Sequence, residues 1–310
     1  MNTLMAGIVA AAAAAMLLAF GGTAHAQKKT VIGLGQPNLE HPYRVGGTSR
    51  AKEWAKAHPE VELVIVDGRR NSATQLAGLE DLLTRGVDAL VISPNDSAAL
   101  ASIAGAAKAK KVPLVVFDRE LKVPESDYAA FIGADNVAMG KVAGDYIVKQ
   151  TGGKGVVIQL EGTQGASATT DRKTGFEQVA KANPAMKVFS YVGDYRMNEA
   201  VKAMEDALVA HPDVVAVYAH NDTMAIAAGK VLAERGKKNI PIVGMDGAKE
   251  GCDGIRSGQM TASVQYPTMF PEALDLAMKV LRGESVPKRT MLQTPLITKD
   301  NLAQLCGSGA

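Results

Sequence analysis

Asp118-Arg119, Glu161, Asn221 and Asp246 each stand where a short apolar run gives out. Gln265 follows another such run, and Arg172 opens the segment Arg-Lys-Thr-Gly-Phe. These are planar, fork-shaped groups. A carboxylate accepts two hydrogen bonds side by side, and a guanidinium or amide donates in matching geometry. A polyhydroxyl molecule suits such a set, because every hydroxyl both gives and takes a hydrogen bond. Tyr43 and Tyr195 lie near the loops and can cover the apolar C–H faces of a ring. Asp and Asn also end strands simply as turn formers and helix caps. No single residue therefore carries the reading. The set does, because it is mirrored in both halves of the chain.

Other chemistries find little support. Gly33-Leu34-Gly35 begins a dinucleotide fingerprint but lacks the third glycine, and Gly152-Gly153-Lys154-Gly155 lacks P-loop spacing and precedes a strand. HExxH, GxSxG and CxxC do not occur. His41 sits in the first loop, within reach of a ligand there. His220 adjoins Asn221 and supports a strand end, and His58 and His211 precede prolines in turn-like surface segments. Asp118 and Asp246 could serve as the carboxylate pair of a glycosidase. Arg119 beside Asp118 would hold that group ionised, which suits hydrogen bonding better than acid catalysis. We expect no enzyme activity, no cofactor and no metal.

The elements that must position these residues follow from a repeated unit. Residues 217–247, VYAHNDTMAIAAGKVLAERGKKNIPIVGMDG, read as strand, helix, strand, with Met224, Ala228, Val231 and Leu232 on one helix face and Gly236 as the helix stop. Residues 87–120, VDALVISPNDSAALASIAGAAKAKKVPLVVFDRE, repeat the plan roughly 125 residues earlier. Each copy places Asn-Asp after its first strand and Asp after its second. Two buried strands joined by a helix are parallel and form a right-handed βαβ unit, and ligands bind beyond the carboxyl ends of such strands. Strand and helix alternate along the whole chain. The fold class is therefore α/β, with two doubly wound parallel-sheet lobes. We expect strands at 30–35, 61–66, 128–132 and 155–160, a helix at 43–57, and a last strand at 290–297.

At 310 residues the chain has room for two domains, and its net charge of +2 shows no nucleic-acid footprint. Residues 1–26 read as a secretory signal peptide. An uncharged run of about 17 residues (4–20) leads to Gly21-Gly22 and an Ala24-His25-Ala26 cleavage site. No Lys or Arg precedes the run, and a membrane anchor is the alternative. Cleavage after Ala26 would release a soluble protein starting at Gln27. No Cys follows the cleavage site, so a lipid anchor is not indicated. Cys252 and Cys306 are the two cysteines; the sequence leaves open whether they pair.

Taken together, GVDALVISPND, VPLVVFDRE, GADNVAMGKVAGDYI, VIQLEGTQGASATTDRKTGF, VYAHNDTMAIAA, VGMDG and TASVQYP resemble the periplasmic sugar-binding proteins of ABC transporters, in the ribose-binding-like branch, over essentially the whole mature chain. The resemblance implies a type I architecture with a three-segment hinge. The lobes would divide as 27–132 plus 267–292 and 133–266 plus 293–310, and the ligand would lie between them. It implies ligand contacts from Asp118, Arg119, Arg172, Asn221, Asp246 and the hinge Gln265, with Tyr195 as an aromatic lid. The first loop departs from the Asn-Pro-Phe-Phe of ribose binders. Here it is His41-Pro42-Tyr43-Arg44. With Gln36, Glu40, Tyr43 and Arg44, it is more similar to the galactofuranose-binding branch. The implied function is capture of a neutral sugar, a hexofuranose favoured, by a periplasmic monomer that delivers it to an ABC permease. A sugar sensor for chemotaxis or signalling is the alternative, and a glycosidase a more distant one.

Overall fold

The structure, a computed structural model, describes residues 28–306; the expected leader at 1–26 lies outside them. One six-stranded sheet contains β1 (Thr30–Gln36), β2 (Val61–Asp67), β3 (Ala89–Ile92), β4 (Leu114–Phe117), β5 (Ala130–Ala134) and a late strand, Arg289–Leu292. The other contains β6 (Gly155–Glu161), β7 (Met186–Val192), β8 (Val214–Ala219), β9 (Ile242–Asp246), β10 (Ala262–Gln265) and Leu296–Thr298. With the late strands numbered β11 (Arg289–Leu292) and β12 (Leu296–Thr298), the orders are β11-β5-β4-β3-β1-β2 and β12-β10-β9-β8-β6-β7. The orders match position for position, so the two halves share one plan. All pairings are parallel except β10 with β12.

Helices α1 (Pro42–Ala57), α2 (Ser72–Arg85) and α3 (Ser102–Ala109) connect the first sheet. Helices α4 (Asn136–Thr151), α5 (Ser167–Ala182), α6 (Met197–Ala210), α7 (Asp222–Glu234) and α8 (Lys249–Ser257) serve the second, α9 (Phe270–Leu281) returns to the first, and α10 (Leu302–Cys306) ends the described chain. Their ends obey local rules. The Asn71 side chain caps α2 through the Thr74 N–H, and Gly86 leaves the helix at φ 79°. Gly236, at φ 69°, follows α7.

Parallel strands covered on both faces need apolar residues on both sides. In β3, Ala89 and Val91 face a core with Trp54, Phe117, Phe270 and Leu274. Leu90 and Ile92 face the other way, onto Leu79, Leu82 and Ile103. In β6, Val157 joins Phe176 and Tyr218, whose rings stack at 4.4 Å, while Ile158 joins Met204, Met224 and Val231.

The chain crosses between the sheets three times: after β5, between β10 and α9, and between β11 and β12. The last crossing corrects the single strand expected at 290–297. Pro295 lacks the N–H a ladder needs, so the stretch splits into two strands in different sheets. Its carbonyl instead accepts the Gln265 N–H at 2.8 Å, tying two crossings together. β5 also starts two residues later than the strand expected at 128–132, because Tyr128 closes a 3-10 turn at Glu125–Asp127. Cys252 on α8 and Cys306 on α10 form a disulfide, with Cα atoms 6.1 Å apart.

Candidate functional site

Between the sheets lies about 440 Å³ of space, part of it open to solvent. Its walls come from the carboxyl edges of both sheets, where βα connections converge. The first sheet supplies Tyr43 and Arg44 from the start of α1, Arg70 after β2, and Asp118-Arg119 after β4. The second supplies Arg172 from α5, Tyr195 after β7, Asn221 after β8 and Asp246 at the end of β9, with Tyr266 at the crossing after β10.

Asp118 is the anchor on the first side. It is buried, at φ 64°, the left-handed region that Asp tolerates better than most residues. Arg44 pairs with its Oδ2, Ser93 Oγ donates to the same oxygen at 2.5 Å, and the Tyr266 hydroxyl donates to Oδ1 at 2.8 Å. Burial alone would raise this carboxyl. The Arg44 and Arg119 guanidiniums and the two hydroxyls outweigh it and hold Asp118 below its ordinary value. Arg44 keeps one buried nitrogen, Nη1, without a partner among the described residues. A buried donor in that state favours an incoming acceptor. Arg119 is steadied by the Asn95 carbonyl at 3.1 Å and lies 5.6 Å from the centre of the Tyr195 ring.

Arg172 is the matching group on the second side. Helices α4 and α5 pack closely because Gly140 and Gly175 have no side chains; a Cβ on either would fall 2.2 Å or less from a facing carbonyl oxygen. That approach lets Arg172 Nε donate to Asn136 Oδ1 at 2.9 Å while Nη1 donates to the His220 carbonyl. Its guanidinium lies 4.9 Å from the centre of the Tyr266 ring. Asp246 is held differently. Among the described residues no donor reaches its carboxylate. Burial raises it above the ordinary value, Arg172 opposes the rise, and Glu250 and Asp118 add to it. Tyr195 stands on a turn with φ 50° at Asp194 and 56° at Tyr195 itself. Its hydroxyl meets Thr169 Oγ1 at 3.0 Å, and its ring lies over Gly162, where a Cβ would come within 1.9 Å of it.

The two sides touch around the cavity. The Ser97 N–H donates to the Gly165 carbonyl at 3.0 Å, the Glu120 N–H to Ser167 Oγ at 2.8 Å, and Arg70 Nη1 to the Asp194 carbonyl at 3.3 Å. Asn221 Oδ1 accepts the Met224 N–H at 3.0 Å as the cap of α7. Its Nδ2 therefore faces His41 and donates to Nε2 at 2.6 Å. That fixes His41 as the neutral tautomer protonated on Nδ1.

Burial, then Arg44, Arg70, Arg119 and Arg172, push the His41 pKa down to about 3. An unfolded chain takes up this proton near pH 6.5. His41 therefore contributes stability that is full above pH ~6.5 and is lost as the pH falls toward its folded value. The raised carboxylates Asp222 and Asp246 act with the opposite sign, so the test is a difference. The stability advantage of the wild type over His41→Gln should shrink by about 2 kcal/mol between pH 7 and pH 5. Urea titrations at both pH values measure it, and an advantage that stays constant contradicts the assignment.

Of the residues expected at the site, Tyr43, Arg44, Asp118, Arg119, Arg172, Tyr195, Asn221 and Asp246 line one cavity. Three do not. Gln36 is fully buried beneath α1, its amide donating to Thr48 Oγ1 at 2.7 Å. The Glu40 side chain is 75% exposed on the outer rim, 3.5 Å from Arg70 Nε. Gln265 lines a neighbouring groove with Gly247 and Pro267. Side chains alternate along a strand, so the residue after it, Tyr266, is the one that reaches the cavity. Glu161 likewise turns away, to Lys173 Nζ at 2.7 Å.

Asn38, Arg70, Ala168 and Tyr266 line the cavity without having been expected there, and His41, read from the first loop as within reach of a ligand, lines it too. Asn38 had a legible signal: its Oδ1 accepts the Glu40 and His41 N–H groups at 3.1 and 3.0 Å, the turn that Asn forms locally. Arg70, at φ 58°, had none.

A family model described as a periplasmic binding protein domain matches residues 32–285. The ribose import binding protein of Salmonella typhimurium is 34% identical over 279 residues, which cover 89% of this chain and 93% of the relative. The crystal structure of a galactofuranose binding protein matches with a TM-score of 0.84 at 30% identity, covering 89% of this chain and 96% of that one. A Mycobacterium smegmatis protein in complex with β-D-fucofuranose matches with a TM-score of 0.84 at 29% identity, covering 88% and 93%. These relatives are binding proteins, not enzymes. With its two lobes of parallel-dominated sheet, the chain belongs to the periplasmic binding protein family, among the sugar-binding proteins of type I fold.

Proposed function

We propose that the protein captures a neutral sugar between its lobes, a furanose form of a hexose such as galactofuranose being favoured, and delivers it as a monomer to an ABC permease in the inner membrane. The observation that carries this reading is the cavity wall. Among the described residues Asp246 offers an unengaged acceptor and Arg44 an unengaged donor, and Arg119, Arg172 and Asn221 stand beside them. Tyr43, Tyr195 and Tyr266 supply flat faces. Such a wall recognises hydroxyls from two sides and a ring face from a third. The Tyr43-Arg44 pair in the first loop, and relatives whose names specify galactofuranose and fucofuranose, support the furanose form. The leader at 1–26 supports export to the periplasm with cleavage after Ala26.

Charged hydrogen bonds in a desolvated cleft contribute roughly 1.5–3 kcal/mol each. A few therefore supply the ~8 kcal/mol of a micromolar complex. A thermal-shift screen of D-galactose, D-fucose, L-arabinose, D-ribose, xylitol and myo-inositol should give a stabilised melt with at least one aldose. At a hundredfold excess over Kd the gain is ~2.7 kcal/mol. Melts unmoved by every aldose at 10 mM would count against the reading.

A further inference from the structure

Asp118 and Asp246 occupy equivalent places in the two halves, yet they are held in opposite ways. Three donors grip the Asp118 carboxylate directly. Among the described residues none grips that of Asp246, so its direction must come from its backbone. That backbone is unusual: Asp246 has φ 123°, far from the regions that non-glycine residues favour. Such a conformation persists only where neighbours enforce it.

The neighbour is Asp222, the first residue of α7. It is fully buried and does not line the cavity. Its Oδ2 accepts the Gly247 N–H at 2.8 Å, and its Oδ1 accepts the Ser263 hydroxyl at 2.6 Å. Ser263 Oγ in turn stands 3.0 Å from the same Gly247 nitrogen. Space for the carboxylate exists because two facing residues are glycines. A Cβ at Gly244 would lie 2.3 Å from Oδ1, and one at Gly251 would lie 1.9 Å from Oδ2. All of these contacts converge on the peptide that follows Asp246.

We propose that Asp222 is the positioning residue of the site: it fastens the Gly247 amide, with Ser263 as its brace, and thereby fixes the Asp246 carboxylate toward the cavity. The inference rests on the reading that Asp246 contacts the sugar. It explains how a carboxylate can remain free of protein donors and still be aimed, so that its acceptor capacity is kept for the ligand. It also gives the Asn-Asp pair two tasks, since Asn221 faces His41 across the cleft while Asp222 faces inward to the turn.

The test uses the full-length mature protein in two arms. Hydrogen exchange, which needs no ligand, should show the amides of residues 246–248 exchanging at least about tenfold faster in Asp222→Asn than in the wild type, with the body of α7 and β9 unchanged. Titration calorimetry with D-galactose and D-ribose should show an affinity loss of about tenfold in Asp222→Asn, and of less than about twofold when the same change is made in an Asp246→Ala background. A merely structural defect would give the same loss in both backgrounds. If Asp222→Asn does not fold, Ser263→Ala carries the test, with a loss of about threefold that also vanishes without Asp246. Unchanged exchange at the turn, or equal losses in the two backgrounds, overturns the proposal. Faster exchange together with an Asp246→Ala variant that binds like the wild type leaves Asp222 as the anchor of the turn and removes Asp246 from the ligand contacts.

Discussion

Arg172→Ala is expected to lower sugar affinity on the order of 100-fold to 10,000-fold while leaving the empty protein folded. The reason is the division of labour at this side chain. Among the described residues it makes two hydrogen bonds, from Nε to Asn136 and from Nη1 to the His220 carbonyl, which leave both Nη2 hydrogens and one on Nη1 for the ligand. Two charge-assisted bonds from the remaining N–H groups to ligand hydroxyls contribute about 3–6 kcal/mol together, and the loss falls on binding. Stability changes less, by no more than about 2 kcal/mol, because water entering the cavity can serve the two abandoned acceptors and a buried cation has been removed. Titration calorimetry and urea unfolding on the same preparation measure both quantities. A variant that binds within tenfold of the wild type contradicts the assignment of Arg172 to the ligand.

Asp118→Ala should behave otherwise and damage both properties. Asp118 takes Arg44, Ser93 and Tyr266 at once. Removing it leaves the Arg44 guanidinium buried and unpaired, which costs about 3–5 kcal/mol of stability. It also removes the stronger of the two acceptors of the Tyr266 hydroxyl, which ties the crossing after β10 to the end of β4, and leaves only the backbone carbonyl at 3.1 Å. The urea midpoint should fall clearly below that of Arg172→Ala, and binding should be lost as well. The pH dependence follows from the same contacts. The folded pKa of Asp118 is depressed, so its contribution is present above the ordinary carboxylate range and disappears as the pH falls through the lower folded value. The variant should therefore lose less stability than the wild type between pH 5 and pH 3. A variant as stable as the wild type at pH 7 would show that the Arg44 pair is not the anchor described here.

The sequence carried the lobes and most of the cavity wall for identifiable reasons. Buried parallel strands write themselves as apolar runs, and each run in the 87–120 and 217–247 copies ends in a polar residue at the carboxyl edge of a sheet. Asp118, Asn221 and Asp246 were legible because strand ends are marked by this change of composition. Arg172 was not marked in that way; its place came from the likeness of the Arg-Lys-Thr-Gly-Phe segment, and its orientation depends on Gly140 and Gly175 meeting across two helices. Gln36 and Gln265 show where strand-end reasoning stops. A residue at the end of a strand can point beneath a helix or into the cleft, and that choice depends on register, which a single residue type does not encode. Arg70 and Tyr266 reach the cavity through an irregular turn and a crossing segment, where no periodicity operates. The pairing of Cys252 with Cys306 needed the fold, because it depends on α10 lying against α8 across 54 residues of sequence.

The proposed function requires one sugar ring to sit in the space shared by the two lobes and to be gripped from both. A crystal structure of the mature protein grown with the aldose that most raises its melting temperature tests this directly. The density should show a single ring stacked near Tyr43 or Tyr195, with its oxygens within hydrogen-bonding distance of Arg172 and Asp246 on one side and of Asp118, Arg119 or Arg44 on the other. A sugar bound outside this cleft, or one touched by a single lobe while Arg172 and Asp246 keep to the protein, would contradict it.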